Sequence, residues 1–90
     1  MRKALRIRYT DEFLAITEEL PLDKTIEHAG KVFRQLQTFP DMGNARPRKM
    51  LRDRYGADIR TMPVDHYLLV YRHDDATLTI VSLVWAAPIK

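Results

Sequence analysis

The chain has 90 residues, of which 46% are hydrophobic and 30% charged, with no cysteine and a formal net charge of +3. This length supports one modest hydrophobic core, and this composition excludes a disordered chain. The lack of cysteine excludes disulfides, thiol catalysis and cysteine-ligated zinc. The basic start has no apolar run like that of a signal peptide, and no apolar stretch could span a bilayer. We therefore expect a single domain over residues 1–90, in the cytoplasm.

The first forty residues have the pattern of one strand followed by two helices. Residues 5–9 alternate apolar side chains with arginines, as a half-buried strand does. Thr10 is a suitable N-cap for a short helix that Pro21 closes. A longer helix with one apolar stripe follows and stops at Pro40. Two helices separated by a proline turn predict a helical hairpin packed on one face of a sheet.

The segment after Pro40 is rich in turn residues and then in basic residues. Residues 41–47 read as a loop, and residues 48–55 fit either a helical turn or an irregular segment. Positive charge is concentrated here, at Arg46, Arg48, Lys49, Arg52, Arg54 and Arg60. Such a cluster can attract a polyanion or an acidic protein, and a solvated surface loop explains it about equally well.

The last third of the chain has strand character. A strand over residues 59–62 is expected to end at Pro63, and strands over 67–72 and 77–85 form a hairpin around a turn at 74–75. The predicted order is β-α-α-β-β-β. This order indicates an α+β fold, in which the helical hairpin packs on a small, mainly antiparallel sheet.

Three segments in this order resemble the RelE/ParE toxin superfamily. Residues 36–43 look like the family's helix end and its Phe-Pro-x-Met-Gly turn. Residues 58–64 look like its Gly-x-Arg strand, with Asp58 in place of the usual glycine. Residues 67–73, followed by 78–81, look like its Tyr-x-x-x-Tyr-Arg hairpin. The resemblance covers nearly the whole chain, although packing alone would explain Tyr67 and Tyr71, which share a strand face.

The resemblance implies the toxin of a type II toxin–antitoxin system, neutralised by a partner antitoxin in a hetero-oligomer. RelE-like members cut messenger RNA on the ribosome, whereas ParE-like members poison DNA gyrase. Positions that are basic in the RNA-cutting members are Ile59, Thr61 and Leu68 here, and none of these can act as acid or base. We therefore favour the ParE-like branch, without nuclease chemistry. The chain departs from that branch too, because Trp85 and Ala-Ala-Pro stand where a histidine and an arginine are common.

The candidate contacts fall into two groups. The residues expected to bind the target or phosphate are Arg48, Lys49, Arg52, Arg54, Arg60, Arg72 and Lys90. Structural ion pairs would explain Arg60 and Arg72 equally well. The residues expected to meet an acidic, helical or extended antitoxin segment are Leu14, Leu22 and Trp85, although packing at the end of the core is the stronger expectation for Trp85.

Two alternatives stay open. A ribosome-dependent endoribonuclease with a substituted catalytic set would draw on Lys49, Arg52, Arg60, Arg72 and His73. An inactive relative would merely bind an antitoxin and a DNA-bound repressor complex. The three histidines are scattered and have no metal-ligand spacing, so we expect neither metal nor cofactor.

Overall fold

The structure, a computed structural model, describes residues 4–19 and 23–86. The elements are β1 (Arg6–Tyr9), α1 (Asp11–Glu19), α2 (Asp23–Thr38), a 3-10 turn (Pro40–Met42), α3 (Lys49–Tyr55), β2 (Arg60–Val64), β3 (Tyr67–His73) and β4 (Thr77–Trp85). None of the helices within these two ranges is long and apolar enough to cross a membrane.

The strands form one sheet in the order β1-β4-β3-β2. β1 runs parallel to β4, and the other neighbouring pairs are antiparallel. At the β3–β4 turn, the Asp74 carboxylate accepts hydrogen bonds from the amides of Ala76 and Thr77, each at 2.8 Å. The predicted α+β fold with a mainly antiparallel sheet is confirmed.

The helical hairpin of α1 and α2 packs on one face of the sheet, as predicted. Thr10 caps α1, because its hydroxyl oxygen accepts the Phe13 amide at 3.1 Å and its hydroxyl donates to the Val81 carbonyl at 2.5 Å. The main core lies between these helices and the sheet. Its buried members include Phe13, Ala29, Phe33, Leu36, Leu69, Tyr71, Leu78 and Ile80.

The opposite face of the sheet is covered by α3, which settles the conformation of residues 48–55. Leu51 packs there with Ile59, Val70 and Val81, and Tyr55 lies against this second core. The predicted helical hairpin accounted for one face only. The third helix was left open between a helical turn and an irregular segment, because its inward side is limited to Leu51 and Tyr55 within a highly charged segment.

The expected end of β2 at Pro63 was wrong. The strand runs through Pro63, which pairs with Leu68, and continues to Val64. β2 is an edge strand, where proline is tolerated because its missing N–H can face away from the ladder.

Candidate protein-binding surfaces

The residues that carry the family resemblance meet around the phenol of Tyr71. This side chain is fully buried. Its hydroxyl donates to the Pro40 carbonyl at 2.7 Å and accepts the Gly43 amide at 2.9 Å. Burial raises the pKa of Tyr71, so the phenol stays protonated and able to donate. Tyr71 therefore anchors the loop after α2 to the centre of the sheet.

Arg60 fixes the same loop from the edge strand. Its guanidinium donates to the carbonyls of Gly43 at 3.1 Å and Asp41 at 3.3 Å, and lies 3.4 Å from the Asp41 carboxylate. His73 contacts that carboxylate as well, at 3.0 Å. The structural pairing expected as one of the two roles of Arg60 is therefore present.

Arg72 has a similar part at the end of α3. Its guanidinium donates a short hydrogen bond to the Tyr55 carbonyl and lies 3.9 Å from the carboxylate of Asp58. Asp58 stands where the family usually has glycine, so this chain adds an acidic partner to that arginine. Arg72 thus ties α3 to the sheet.

The remaining basic candidates project from α3. Lys49 pairs with Asp53 at 2.9 Å, and Arg54 lies 3.6 Å from Glu12 with its guanidinium 5.2 Å from the centre of the Tyr55 ring. Arg48 and Arg52 are exposed and have no ion-pair partner within residues 4–19 and 23–86. Lys90 lies outside the described residues.

A polar network that the sequence did not reveal joins α1 to α3. The Tyr55 hydroxyl donates to the Glu12 carboxylate at 2.6 Å and lies 3.3 Å from the hydroxyl of Ser82. Hydrogen bonding to Ser82 and Tyr55 lowers the pKa of Glu12, while burial raises the pKa of Tyr55. Because Ser82 is completely buried, this network braces the fold and cannot present a nucleophile.

An apolar cleft of about 370 Å³ opens between the two helices of the hairpin. Its exposed members are Tyr9, Leu14 and Ile26, at 44%, 46% and 42% exposure, and its floor includes Phe13, Ala29, Phe33 and Leu83. Leu14 was expected at a partner surface, whereas Tyr9 and Ile26 looked like ordinary inward positions of a strand and a helix stripe. Leu22 lies outside the described residues.

Trp85 is not part of this cleft. It is 59% exposed, which overturns the expectation that it packs at the end of the core. Its ring packs against the ring of Tyr67 in an edge-to-face arrangement, with ring centres 5.2 Å apart, and the residue also borders a groove beside α3. The sequence had grouped Trp85 with Leu14, and the structure places them on different surfaces.

A comparison with protein families decides between the two branches. The model of the ParE toxin of the type II toxin–antitoxin system parDE matches residues 7–87. The chain belongs to the ParE toxin family. A solved structure described as the chromosomal ParDE TA system from P. aeruginosa shares the fold, with a TM-score of 0.63 at 14% identity over 91% of this chain and 96% of that one. No curated protein matches the sequence.

The side chains of this ParE-family toxin agree with that assignment. Ile59 and Thr61 are buried and Leu68 is half-buried, so these positions offer neither a base nor an acid to RNA. The histidines lie apart, with His28 bound to Asp65 at 2.7 Å, His66 beside Trp85 and His73 beside Asp41. No group of three potential metal ligands occurs in the part of the chain that the structure describes. The ParE family implies an antitoxin partner.

Proposed function

We propose that this ParE-family toxin acts in the cytoplasm by binding DNA gyrase, without nuclease chemistry, until an antitoxin neutralises it. The observation that carries the proposal is the family match over residues 7–87 together with the uncharged, buried or half-buried side chains at the positions where RNA cleavage would need basic groups. Inhibition by binding needs only a complementary surface, and the described residues include exposed apolar side chains at the cleft between α1 and α2 and at the groove beside α3.

The antitoxin is assigned to the cleft between α1 and α2. A helix presents apolar side chains at spacings of three and four, which suits an apolar cleft rimmed by Tyr9, Leu14 and Ile26. Carboxylates beside that apolar stripe would complement the net charge of +3 and speed association. The resulting complex is a toxin–antitoxin hetero-oligomer.

The target is assigned to the basic side of α3. Arg48 and Arg52 project there without an ion-pair partner among the described residues, so binding them costs no existing interaction. Arg60 and Arg72 hold the scaffold of this region, as their contacts with Gly43 and Tyr55 indicate.

The test is a supercoiling assay with purified gyrase, run beside induced expression without antitoxin. We expect lost supercoiling, trapped gyrase–DNA complexes and filamentous cells whose messages stay intact. The double variant Arg48→Glu/Arg52→Glu should lose inhibition, whereas the matched reversal Arg34→Glu on exposed α2 should retain it. Rapid message cleavage with halted translation would contradict the proposal and favour the ribonuclease, and unaffected growth would leave an inactive relative.

A further inference from the structure

The groove beside α3 combines apolar and cationic groups in one concave surface. It has a volume of about 200 Å³ and is lined by Arg48, Met50, Leu51, Arg54, Tyr55, Leu68, Val84, Trp85 and Ala86. Met50 and Trp85 are 69% and 59% exposed, more than any other large apolar side chain in the described part of the chain. Aromatic residues, methionine and arginine are the side chains enriched at protein interfaces.

The charge of the groove indicates what it binds. Two arginines line it, and none of the described lining residues is acidic. Arg48 has no ion-pair partner within the described ranges, and Arg54 is paired with Glu12 only at 3.6 Å and remains largely exposed. An occupant with carboxylates would therefore gain favourable interactions at the rim without first breaking a close ion pair.

We propose that this groove is a second protein-docking site, separate from the cleft between α1 and α2, and that it binds a segment in which a bulky apolar side chain is flanked by carboxylates. The apolar side chain enters between Met50 and Trp85, and the carboxylates meet Arg48 and Arg54. This goes beyond the proposed function, because it concerns the groove's own binding chemistry and holds whichever protein is the target.

Other occupants fit the groove less well. A second copy of this basic chain would bring arginines against arginines, which electrostatic repulsion opposes. Residues 87–90 of the same chain contain a lysine and no acidic side chain. Single-stranded nucleic acid prefers several stacking platforms along a basic track, whereas Leu51, Leu68 and Val84 make this groove aliphatic.

The test selects short random peptides displayed on phage against the full chain and then measures selected peptides by fluorescence. Trp85 is the sole tryptophan, so its emission reports on this groove directly. We expect enriched peptides that carry an apolar residue between acidic ones and shift the emission of Trp85. Arg48→Glu and Met50→Glu should each weaken their binding by about tenfold or more, as loss of an interface anchor does.

Matched variants on the opposite face give the control. Arg34→Glu reverses an exposed charge on α2, and Leu14→Glu places a carboxylate in the other cleft. Neither should change the affinity of peptides that shift Trp85 emission. Circular dichroism of every variant verifies that the fold is kept.

Several results would overturn the proposal. The first is a selection that yields no peptides with an apolar residue between acidic ones. The second is that such peptides bind the Arg48→Glu and Met50→Glu variants as tightly as the parent chain. If oligothymidylate displaces the peptides and shifts the fluorescence emission of Trp85 as much as they do, the groove binds nucleic acid. If the protein self-associates and Met50→Glu abolishes that association, the occupant of the groove is a second copy of the chain. If peptides bind only to an Ile89→Asp variant, the occupant is the C-terminal tail of the same chain. None of these outcomes depends on gyrase.

Discussion

The amide of Gly43 donates to the hydroxyl of Tyr71 across 28 positions of sequence, at 2.9 Å, and leaves no room for a side chain. A Cβ on Gly43 would lie 2.3 Å from that hydroxyl oxygen and 2.9 Å from the carbonyl oxygen of Thr61. The glycine of one family segment is therefore required by the tyrosine of another. Their joint occurrence reflects one contact that fastens a loop to the sheet.

We expect Gly43→Ala to lower the free energy of unfolding by about 1–3 kcal/mol, because the added methyl group must displace Tyr71 or the backbone of β2. Gly30→Ala is the matched control: Gly30 lies within α2, and a Cβ there meets nothing within 4 Å. That change should raise stability by up to about 1 kcal/mol, since alanine is the better helix former. Urea denaturation measures both. Equal effects of the two substitutions would contradict this account of Gly43.

Much of the fold could be predicted because local chemistry marked it. Thr10 caps α1 as its position before two acidic residues indicated, and β4 has its predicted bounds because its strand-forming residues are continuous. Pro63 misled because its effect depends on whether the strand is central or at the edge, which only tertiary pairing decides. The third helix was ambiguous because a seven-residue helix has too few turns for a periodicity.

We expect Arg72→Ala to destabilise the protein by about 1–2 kcal/mol, because the Tyr55 carbonyl loses its donor and α3 loses its link to β3. Arg52→Ala, on the exposed side of α3, should stay within about 0.5 kcal/mol of the parent chain. Chemical denaturation of the two variants tests this, and similar stabilities would mean that Arg72 does not brace the scaffold.

The pH dependence of stability should reveal the hydrogen bonds that connect Asp65, in the β2–β3 turn, to α2. Hydrogen bonds from His28 and Thr25 lower the pKa of Asp65. Because the folded-state pKa lies below the unfolded one, this contribution is present above the unfolded value, about 4, and is lost as the pH falls through the folded value.

Asp65→Asn should therefore lower the free energy of unfolding at neutral pH, and the difference should shrink in acid. Asparagine suits this position, where φ is +54°, so backbone strain adds little. Denaturation at a series of pH values gives the measurement, with Asp75→Asn as the control at an exposed carboxylate. If the difference in unfolding free energy between the two proteins stays constant down to strongly acidic pH, the ionised Asp65 carboxylate does not stabilise the fold.

Leu14→Asp should weaken antitoxin binding by about tenfold or more while leaving the toxin folded, because it puts a charge into an apolar cleft at a site already 46% exposed. Met42→Asp is the matched control, because Met42 is 48% exposed and lines neither this cleft nor the groove beside α3, and it should leave antitoxin affinity unchanged. Calorimetric titration with the antitoxin measures both, and co-expression shows whether growth is still rescued. Unchanged affinity for Leu14→Asp would remove the cleft from the antitoxin interface.

The candidate contacts were harder to foresee than the fold. Sequence shows that Arg48, Arg60 and Arg72 are basic, but not that Arg60 and Arg72 point at backbone carbonyls while Arg48 points at solvent. The separation of Leu14 from Trp85 likewise depends on tertiary packing, because Leu14 lines the cleft between α1 and α2 whereas Trp85 lies against Tyr67 and borders the groove beside α3. These differences in side-chain surroundings depend on contacts between segments that are distant in sequence, so local sequence patterns do not predict them.

The pairing of β1 with β4 also sets the stage of synthesis at which the sheet can close. Thr10 reaches Val81 across 71 positions, so β1 leaves the ribosome long before its neighbouring strand exists. Contacts this distant in sequence form late, because the intervening chain must be made and its loop closed first. A nascent chain therefore has no closed sheet until β4 has been made and has left the ribosome.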